Sequence, residues 1–409
     1  FLFRGRPTVL ITSGEHYGAV LNLDFDYRRY LETLAADGLN LTRVFSGAYV
    51  EPQGAFRIER NSLAPASGRF IAPWARSEEP GYPGGGNKFD LDRFGDEYFA
   101  RLRDFMQEAS RLGVVVELTL FCPFYGEEQW NLSPLNAQNN VNGVGDVSRT
   151  DVYTLDRHDG LLEIQKALVR KIVEELNGFD NLYYEICNEP YFGGVTLEWQ
   201  YAIAEEIVLA EARLPNRHLI SRNVANAGSD DLLAGNGKVW EEHPAISILN
   251  FHYSNPPLVV PLNYGLDRVI GENETGFRGT GDEYYRREAW EFILAGGALF
   301  NHLDYSFAAG FEDGTFAYPE TQPGGGSAGL RRQLKILKDF IHEFDFIRMR
   351  PDNTVVRGGV PRGSRAQVLA EPGEQYAIYV REGEGLKLDL KLPEGEYSYD
   401  LLDPRTGER

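Results

Sequence analysis

The sequence has little positive charge, few cysteines and no long apolar run, and each shortage excludes a class of protein. Lys and Arg total 41 against 61 Asp and Glu, and the net charge of −20 excludes nucleic acid and anionic membranes as expected partners. Two cysteines, Cys122 and Cys187, are too few for a disulfide scaffold, and each ends an apolar run, as a buried free thiol does. No apolar run approaches the roughly 20 residues that cross a bilayer.

Motifs for nucleotides and for metals are also missing. No GxGxxG follows the first predicted strand, and "GYPGGG" (81–86) lacks the Lys-Ser/Thr of a P-loop. The histidines His16, His252 and His302 show no HxH or HExxH spacing, and the acidic run 90–97 lacks EF-hand spacing. We therefore expect neither a nucleotide cofactor nor a metal. The chain starts at Phe1 without a charged leader, as expected of a processed or trimmed form.

What is present is an alternation of apolar, β-rich runs and amphipathic helices from residue 8 to about 340. The eight β-rich runs lie at 8–12, 40–47, 114–121, 181–187, 217–223, 245–253, 268–274 and 298–307, and helices are predicted at 26–38, 96–113, 161–177, 198–213 and 331–344. Near-continuous apolar runs are typical of parallel strands with crossover helices. Eight such units predict an α/β fold, a (β/α)8 TIM barrel, with an open doubly wound sheet as the alternative.

The pattern changes after the last helix. Short alternating strands separated by turn residues are predicted at 353–359, 365–371, 375–382, 386–392 and 396–403. This pattern predicts a small antiparallel β-sandwich domain, which must pack on the barrel or on a partner sheet because so small a unit has little core of its own. We therefore divide the chain into a catalytic barrel over 1–347 and an accessory domain over 348–409.

Polar residues follow the predicted barrel strands at their C-terminal ends, where the chemistry of such barrels takes place. They are Arg43, Asn188, Glu189, Asn223, His252, Tyr253, Glu272, Glu274, His302 and Asp304. Carboxylates at two non-adjacent strand ends, with an arginine and a His-Tyr pair between them, are typical of a glycosidase. Glycoside hydrolysis needs one carboxyl group as the acid and a second as the nucleophile or base.

Four stretches, "GLNLTRVF", "YEICNEP", "FHY" and "VIGENETG", resemble in order the motifs of the clan A glycoside hydrolases. The resemblance implies a retaining (β/α)8 enzyme similar to the family 5 cellulases and mannanases. Such an enzyme cleaves β-glycosidic bonds of an oligo- or polysaccharide by double displacement with two glutamates, without a cofactor. A secreted or periplasmic location is expected for an enzyme of this kind.

The resemblance also assigns roles to individual residues. Glu189 would be the acid/base, with a pKa raised by burial and by the partner carboxylate. Asn188 would bond the sugar 2-hydroxyl, and Arg43 would orient the nucleophile. His252 or Tyr253 would donate to the nucleophile, and only one of them is expected to reach the cavity because adjacent strand residues face opposite ways.

Two glutamates compete for the role of nucleophile. Glu272 ends "IGE", which resembles the Gly-Glu of family 5, and Glu274 begins "ETG", which resembles the Glu-Thr-Gly of other clan members. Strand alternation predicts that both face the same side, roughly 7 Å apart. We favour Glu274 because it lies nearer the strand end. Glu272 would then be a deeper carboxylate that pairs with Arg43 or tunes its neighbour.

Aromatic residues on the predicted upper loops are candidates for stacking on sugar rings. They are Trp74, Tyr125, Trp130 and Tyr191. The clan usually has a Trp at the end of strand 8, and "NHLDYSF" offers Tyr305 or Phe307 instead. This departure leaves a furanosidase, such as an α-L-arabinofuranosidase, as one alternative, and a non-catalytic carbohydrate-binding barrel is another. The long loops at 48–88 and 122–160 favour a pocket for short substrates.

Overall fold

The computed structural model describes residues 1–228, 237–382 and 385–409. Its central sheet consists of β1 (Leu10–Gly14), β2 (Leu41–Phe45), β3 (Val115–Phe121), β4 (Leu182–Cys187), β5 (Leu219–Asn226), β6 (Ile248–His252), β7 (Val269–Glu274) and β8 (Leu299–Leu303). All strand pairs in this sheet are parallel. Each strand overlaps one of the eight predicted β-rich runs, so that prediction is confirmed.

The sheet curls into a nearly closed barrel. The strand order is β1-β8-β7-β6-β5-β4-β3-β2, so the first strand pairs with the last, which an open doubly wound sheet does not allow. The side chain of Asn40 bridges the remaining gap between β1 and β2. Its Oδ1 accepts from the Ile11 amide at 2.9 Å, and its Nδ2 donates to the Val9 carbonyl at 2.9 Å. The TIM barrel prediction is confirmed.

Helices pack around the barrel, and their bounds are α1 (Tyr27–Ala36), α2 (Asp96–Leu112), α3 (Glu127–Trp130), α4 (Leu161–Leu176), α5 (Leu197–Glu211), α6 (Val259–Asn263), α7 (Asp282–Leu294) and α8 (Ala328–Ile341). The side chain of Asp26 caps the start of α1 by accepting from two backbone amides, and Gly113 ends α2 in a left-handed conformation. Sequence analysis did not predict α7. Its buried face includes Glu288 and Glu291, so its apolar periodicity is weak.

The barrel interior is layered. The lower layer is apolar and consists of Leu10, Leu41, Val115, Tyr183, Ile248 and Leu299. Above it lies a buried polar layer of Arg43, Glu117, Glu185, Asn250 and Asn273. The catalytic candidates lie above the polar layer, at the C-terminal ends of the strands. Burying such groups is costly unless they have partners, and these residues bind one another. The layer can therefore hold charge directly beneath the catalytic candidates.

Long loops cover the upper face of the barrel. The loop after β2 leads into an antiparallel hairpin of Trp74–Pro80 and Asn87–Phe94. A second short hairpin, Leu2–Phe3 with Arg6–Pro7, precedes β1 and lies at the opposite end, where Phe3 packs on the lower layer. The loop after β3 includes α3. No helix in the described parts of the chain has the length and apolarity needed to cross a membrane.

The C-terminal region forms two small antiparallel sheets. Strands β9 (Arg350–Pro351), β11 (Ala366–Glu371) and β12 (Gln375–Val380) form one sheet, and β10 (Val356–Gly358) and β13 (Asp389–Leu390) form the other. The expected strand at 396–403 is not a strand in the structure. The boundary at residue 347 stays a prediction, and it lies between the end of α8 and the start of β9.

The three-stranded C-terminal sheet packs on the barrel through α7. The ring of Tyr379 stacks on Trp290 at 5.4 Å between centroids. The guanidinium of Arg381 binds the buried carboxylate of Glu291 at 2.6 Å. The prediction that this unit packs on the barrel is confirmed.

Candidate active site

Two glutamates from strand ends meet at the mouth of the barrel. Glu189 follows β4 and adopts a left-handed backbone conformation with φ of 34°, and Glu274 is the last residue of β7. A carboxylate oxygen of each and a ring nitrogen of His252 all lie within 4.8 Å of one another. A left-handed glutamate is uncommon, and such strain is concentrated at functional sites.

Glu189 is held by three hydrogen-bond donors. Tyr125 Oη donates to Oε2 at 2.6 Å, His252 Nδ1 lies 3.1 Å from Oε1, and Tyr191 Oη lies 3.3 Å from Oε1. Burial raises the pKa of Glu189, but bonding to His252 and Tyr125 and the charges of His252 and Arg43 together bring that pKa below its ordinary value. The predicted rise of this pKa is therefore wrong, because donors stabilise the ionised form more than burial disfavours it.

Glu274 is surrounded by donors as well. Arg43 Nη1 donates to its Oε2 at 3.1 Å, and Tyr17 Oη donates to the same oxygen at 3.2 Å. Tyr253 Oη donates to Oε1 at 3.1 Å. This carboxylate thus has a guanidinium and two hydroxyl groups donating to it, and these three bonds fix its direction.

Arg43 is fully buried and connects the mouth to the polar layer beneath it. Besides Glu274, its guanidinium binds the carboxylate of Glu185 and the Asn188 side-chain oxygen, the latter at 2.8 Å. Asn188 in turn donates from Nδ2 to Tyr125 Oη at 2.9 Å. The structure therefore brings together the predicted arginine, the Asn-Glu pair and Glu274.

The structure separates Glu272 from Glu274, so the prediction that they face the same side is wrong. Phe251 pairs with Glu272 and His252 pairs with Glu274, which leaves Asn273 as an extra residue in a β-bulge. The bulge breaks the alternation. Glu272 then points away from Arg43 to the outside of the barrel, where its Oε1 accepts from the Ser254 amide at 2.7 Å.

The surroundings of Glu272 raise its pKa. Burial and the neighbouring carboxylate of Glu288 on α7 raise its pKa well above the ordinary value. Burial likewise raises the pKa of Glu288 to about 7. Glu272 is therefore a carboxyl group in a dry interface between strand and helix, and the prediction that it pairs with Arg43 or tunes Glu274 is wrong.

Both His252 and Tyr253 reach the site, so the prediction that only one does is wrong. The strand ends at His252, and Tyr253 has a left-handed backbone with φ of 55°. This turn rotates the tyrosine side chain back towards the mouth, where it binds Glu274, and the imidazole of His252 lies between the two glutamates.

Of the four aromatic candidates on the upper loops, two tyrosines lie at the mouth and two tryptophans do not. Tyr191 and Tyr125 lie at the mouth and bind Glu189. Trp130 is buried away from it, with its indole donating to the Val147 carbonyl at 3.2 Å. Trp74 is buried at the start of the upper hairpin. Trp74 begins a hairpin strand and Trp130 ends α3, and both elements belong to loop insertions whose packing the strand and helix pattern of the barrel does not predict.

Three further predicted residues lie in and around the barrel. Tyr305 is at the mouth, with its ring stacked on His16 at 5.8 Å. Phe307 packs instead on Tyr30, at 4.9 Å between centroids. Asn223 is fully buried in the barrel and lies 3.4 Å from Asn273, below the rim.

The polar residues of β8 form a separate cluster. His302 Nδ1 lies 2.9 Å from the Ser13 hydroxyl, and Asp304 binds Arg331 at 2.8 Å. Burial lowers the pKa of His302 to about 4. These residues connect β1, β8 and α8, and they are not at the mouth.

Sequence reasoning missed four residues at the mouth. Tyr17 and Asn226 bind Glu274 and Tyr191, respectively, and Phe56 and Phe277 cover the tyrosines that hold the two glutamates. The first two follow strand ends, a signal that could have identified them. The two phenylalanines come from irregular loops and carry no such signal.

Phe56 and Phe277 separate the glutamates from an outer cavity of about 400 Å³. Their rings lie 6.3 Å apart, edge to face. Behind them, Glu189 and Glu274 are only 8% and 6% exposed. Side chains therefore cover both glutamates almost completely.

The close approach of Glu189, His252 and Glu274 also makes them the one described trio of such side chains that could reach a single metal ion. Arg43 already binds Glu274, and its positive charge opposes a cation at the same carboxylate. The donor set therefore fits proton chemistry better than metal binding.

Solved structures with the same fold match this chain, whereas the comparisons of sequence find no match. No family model and no curated protein sequence matches the chain. Among solved structures, one from Bacteroides vulgatus ATCC 8482 has a TM-score of 0.58 at 14% identity, and the match covers 91% of this chain and 63% of that chain. This chain therefore spans less than two thirds of that protein.

Two further structures are similar over most of their length. The endo-β-1,4-mannanase from Thermotoga petrophila matches with a TM-score of 0.51 at 13% identity, covering 90% of this chain and 81% of that one. A glycoside hydrolase family 5 mannosidase from Rhizomucor miehei matches with a TM-score of 0.52 at 13% identity, covering 83% and 95%. At these identities the likeness establishes the shared barrel fold.

Proposed function

We propose that this protein is a retaining glycoside hydrolase of the family 5 type that cleaves β-glycosidic bonds with two glutamates. The observation that carries the proposal is the separation of Glu189 and Glu274, whose nearest oxygens lie within 4.8 Å. Carboxyl groups about 5–5.5 Å apart are typical of retaining enzymes, whereas inverting enzymes leave roughly 6.5–9.5 Å for a water.

In the first step, Glu274 attacks the anomeric carbon and forms a glycosyl ester. Arg43, Tyr17 and Tyr253 support this role because they donate to the carboxylate and fix its direction. At the same time Glu189 gives its proton to the glycosidic oxygen, and the aglycone leaves as an alcohol.

In the second step, Glu189 acts as a base. It takes a proton from a water molecule, and the resulting hydroxide attacks the same carbon from the face that the aglycone left. The ester bond to Glu274 breaks, and the sugar departs with the anomeric configuration of the substrate. His252 lies 3.1 Å from Glu189 and stabilises its ionised form, which this second step requires.

The protonation of Glu189 sets the working pH in this proposal. Because its pKa lies below the ordinary value, only a minor fraction is protonated in the free protein at neutral pH. The first step needs that proton, so we expect activity to be highest on the acidic side of neutrality.

The shape of the site supports short substrates. The two glutamates lie behind Phe56 and Phe277, and Tyr305 lies beside Glu274 as a surface for the sugar ring. Asn188, next to Glu189, is the group that we assign to the sugar 2-hydroxyl. The similar mannanase and mannosidase make β-mannosides the first substrates to test.

The test is hydrolysis of aryl glycosides and of natural oligosaccharides, with the anomer of the first product identified by NMR. β-Mannosides, β-glucosides and α-L-arabinofuranosides separate the pyranosidase from the furanosidase. We expect turnover with retention. Inversion would contradict the proposal, and tight oligosaccharide binding without product release would favour a binding barrel instead. Secretion or periplasmic location stays a prediction.

A further inference from the structure

Directly beneath the mouth, the barrel interior holds two carboxylates that the proposed chemical steps do not use. Glu117 on β3 and Glu185 on β4 are both fully buried. The guanidinium of Arg43 binds Glu185 directly, and its Nε lies 3.8 Å from a Glu117 oxygen. The same guanidinium binds Glu274 above, so one cation serves three carboxylates.

Two amides link the lower pair. Nδ2 of Asn250 lies 2.9 Å from Glu117 Oε1 and 3.3 Å from Glu185 Oε1. Nδ2 of Asn273 lies 2.8 Å and 2.7 Å from the same two oxygens. Asn273 is the bulged residue of β7, so the bulge that places Glu274 at the mouth also places this amide on the pair.

The outer oxygens of the pair are also bound. Tyr183 Oη lies 2.9 Å from Glu117 Oε2, where it donates to the ionised carboxylate and accepts the proton of the neutral acid, and the Thr119 hydroxyl donates to Glu185 Oε2 at 2.8 Å. Every carboxylate oxygen in the pair therefore has a partner, and neither side chain is free to move away from Arg43.

The charges of this cluster do not balance if all three carboxyl groups ionise. One guanidinium against three carboxylates would leave two negative charges in a dry interior, which is costly. Arg43 bonds directly to Glu185 and not to Glu117, so a proton is most stable on Glu117. Burial and the charge of Glu185 raise the pKa of Glu117 to about 8.

We propose that Glu185 is a positioning residue that shares the guanidinium of Arg43 with Glu274, and that Glu117 holds the proton of the cluster. The inference rests on the proposed function of Glu274 as the nucleophile. The titratable groups that face Glu117 are Arg43 from β2, Tyr183 and Glu185 from β4, and Tyr17 from the loop after β1, while β6 and β7 contribute amides.

Arg43 donates to both Glu185 and Glu274, and this sharing affects the reactivity of Glu274. A carboxylate held by a whole guanidinium charge is a weaker nucleophile and ionises at lower pH than one that shares it. Glu185 therefore keeps Glu274 reactive by taking part of the positive charge.

The experiment compares Glu185→Gln with Glu117→Gln, two isosteric changes on the same pair. Glu185→Gln should lower kcat/KM on an aryl glycoside by about tenfold or more. It should also move the acid limb of the pH profile of kcat/KM to lower pH by roughly half a unit. Glu117→Gln should lose far less and leave the acid limb in place, because Gln resembles the protonated acid. Glu163→Gln, at a surface carboxylate on α4, is the unaffected control.

A second measurement follows the melting temperature against pH. The pKa of Glu117 is higher in the folded state than its ordinary 4.5, so the folded protein loses stability as the pH rises from about 4.5 to about 8. Glu117→Gln should remove that loss, and Glu185→Gln should reduce it less, because burial still raises the pKa of Glu117 when the charge of Glu185 is gone.

Equal shifts of the acid limb in both variants, no shift in either, or an unchanged melting profile in Glu117→Gln would overturn the inference. If the wild-type protein shows no turnover on any glycoside, the proposed function fails. The melting profiles then still decide which glutamate carries the proton.

Discussion

Strand β7 carries two glutamates two residues apart, and the two sides of the strand surround them differently. On the mouth side, Glu274 receives bonds from Arg43, Tyr17 and Tyr253. On the side that faces α7, Glu272 accepts one backbone amide and lies near a second carboxyl group. Both side chains are buried, so burial alone does not distinguish them.

The difference lies in the charge of the neighbours. Glu274 lies beside the guanidinium of Arg43, whereas a dry interface and the carboxyl group of Glu288 raise the pKa of Glu272 well above its ordinary value. One strand thus holds a carboxylate suited to attack and a carboxyl group suited to packing. The bulge at Asn273 is the local feature that separates them.

The largest expected effect comes from exchanging the two glutamates for glutamine one at a time. Glu274→Gln should reduce kcat/KM on an aryl glycoside by about 10³-fold or more, because it removes the attacking group. Glu272→Gln is the matched control and should cost less than about tenfold, since it replaces a protonated carboxyl group by its isostere. The reverse order of effects would break the comparison.

A second prediction concerns the acid that works opposite Glu274. Glu189→Gln should lower kcat/KM by about 10²–10⁴-fold on substrates with poor leaving groups, because their oxygen needs a proton. Substrates with an activated aryl leaving group should lose much less in the first step. Rates measured over a series of leaving groups check this, and a loss that does not depend on the leaving group would contradict the role.

The third prediction sharpens the electrostatic side of the comparison. His252→Gln removes the imidazole whose hydrogen bond and charge lower the pKa of Glu189, so that pKa should rise and the alkaline limb of kcat/KM should move to higher pH by about one unit. His243→Gln, at a histidine paired with Glu205 on the outside, is the control. An alkaline limb that stays in place would show that His252 does not set this pKa.

The smallest expected effect is on the free energy of unfolding, and it comes from Glu288 in the interface between β7 and α7. The pKa of Glu288 is about 7 in the folded state against an ordinary 4.5, so its contribution costs stability as the pH rises between those values. Glu288→Gln should reduce the loss of unfolding free energy between about pH 5 and about pH 8 by about 1–3 kcal/mol. Urea denaturation at both values measures it.

The exposed Glu283 on the same helix provides the control for that measurement, because Glu283→Gln should leave the pH dependence unchanged. A Glu288→Gln variant whose stability falls with pH as steeply as the wild type would contradict the protonated pair.

Much of the fold was predictable because it depends on local patterns. Eight apolar runs with helices between them are enough to predict a parallel barrel. The ends of two of these runs placed Glu189 and Glu274 at strand ends, whereas Arg43 lies in the middle of β2. The helix α7 was missed because its buried face includes charged residues that pair with the C-terminal sheets.

The parts of the site that could not be predicted depend on pairing between strands and on loop packing. Alternation predicts the same side for Glu272 and Glu274, but the register against β6 inserts a bulge. Alternation also separates His252 from Tyr253, but a left-handed turn brings both to the mouth. The pKa of Glu189 depends on Arg43 from β2, Tyr125 from the loop after β3 and His252 from β6. These residues are far apart in the sequence, so no single stretch of it predicts their combined effect.

The central claim is that Glu274 is the nucleophile of a retaining glycosidase. The most direct measurement is to react the protein with an activated 2-deoxy-2-fluoro glycoside of a sugar that it hydrolyses, and to locate the label by peptide mass spectrometry. The account predicts one covalent sugar per chain, attached to Glu274. A label on Glu272, or continued hydrolysis with inversion and no label, would contradict it.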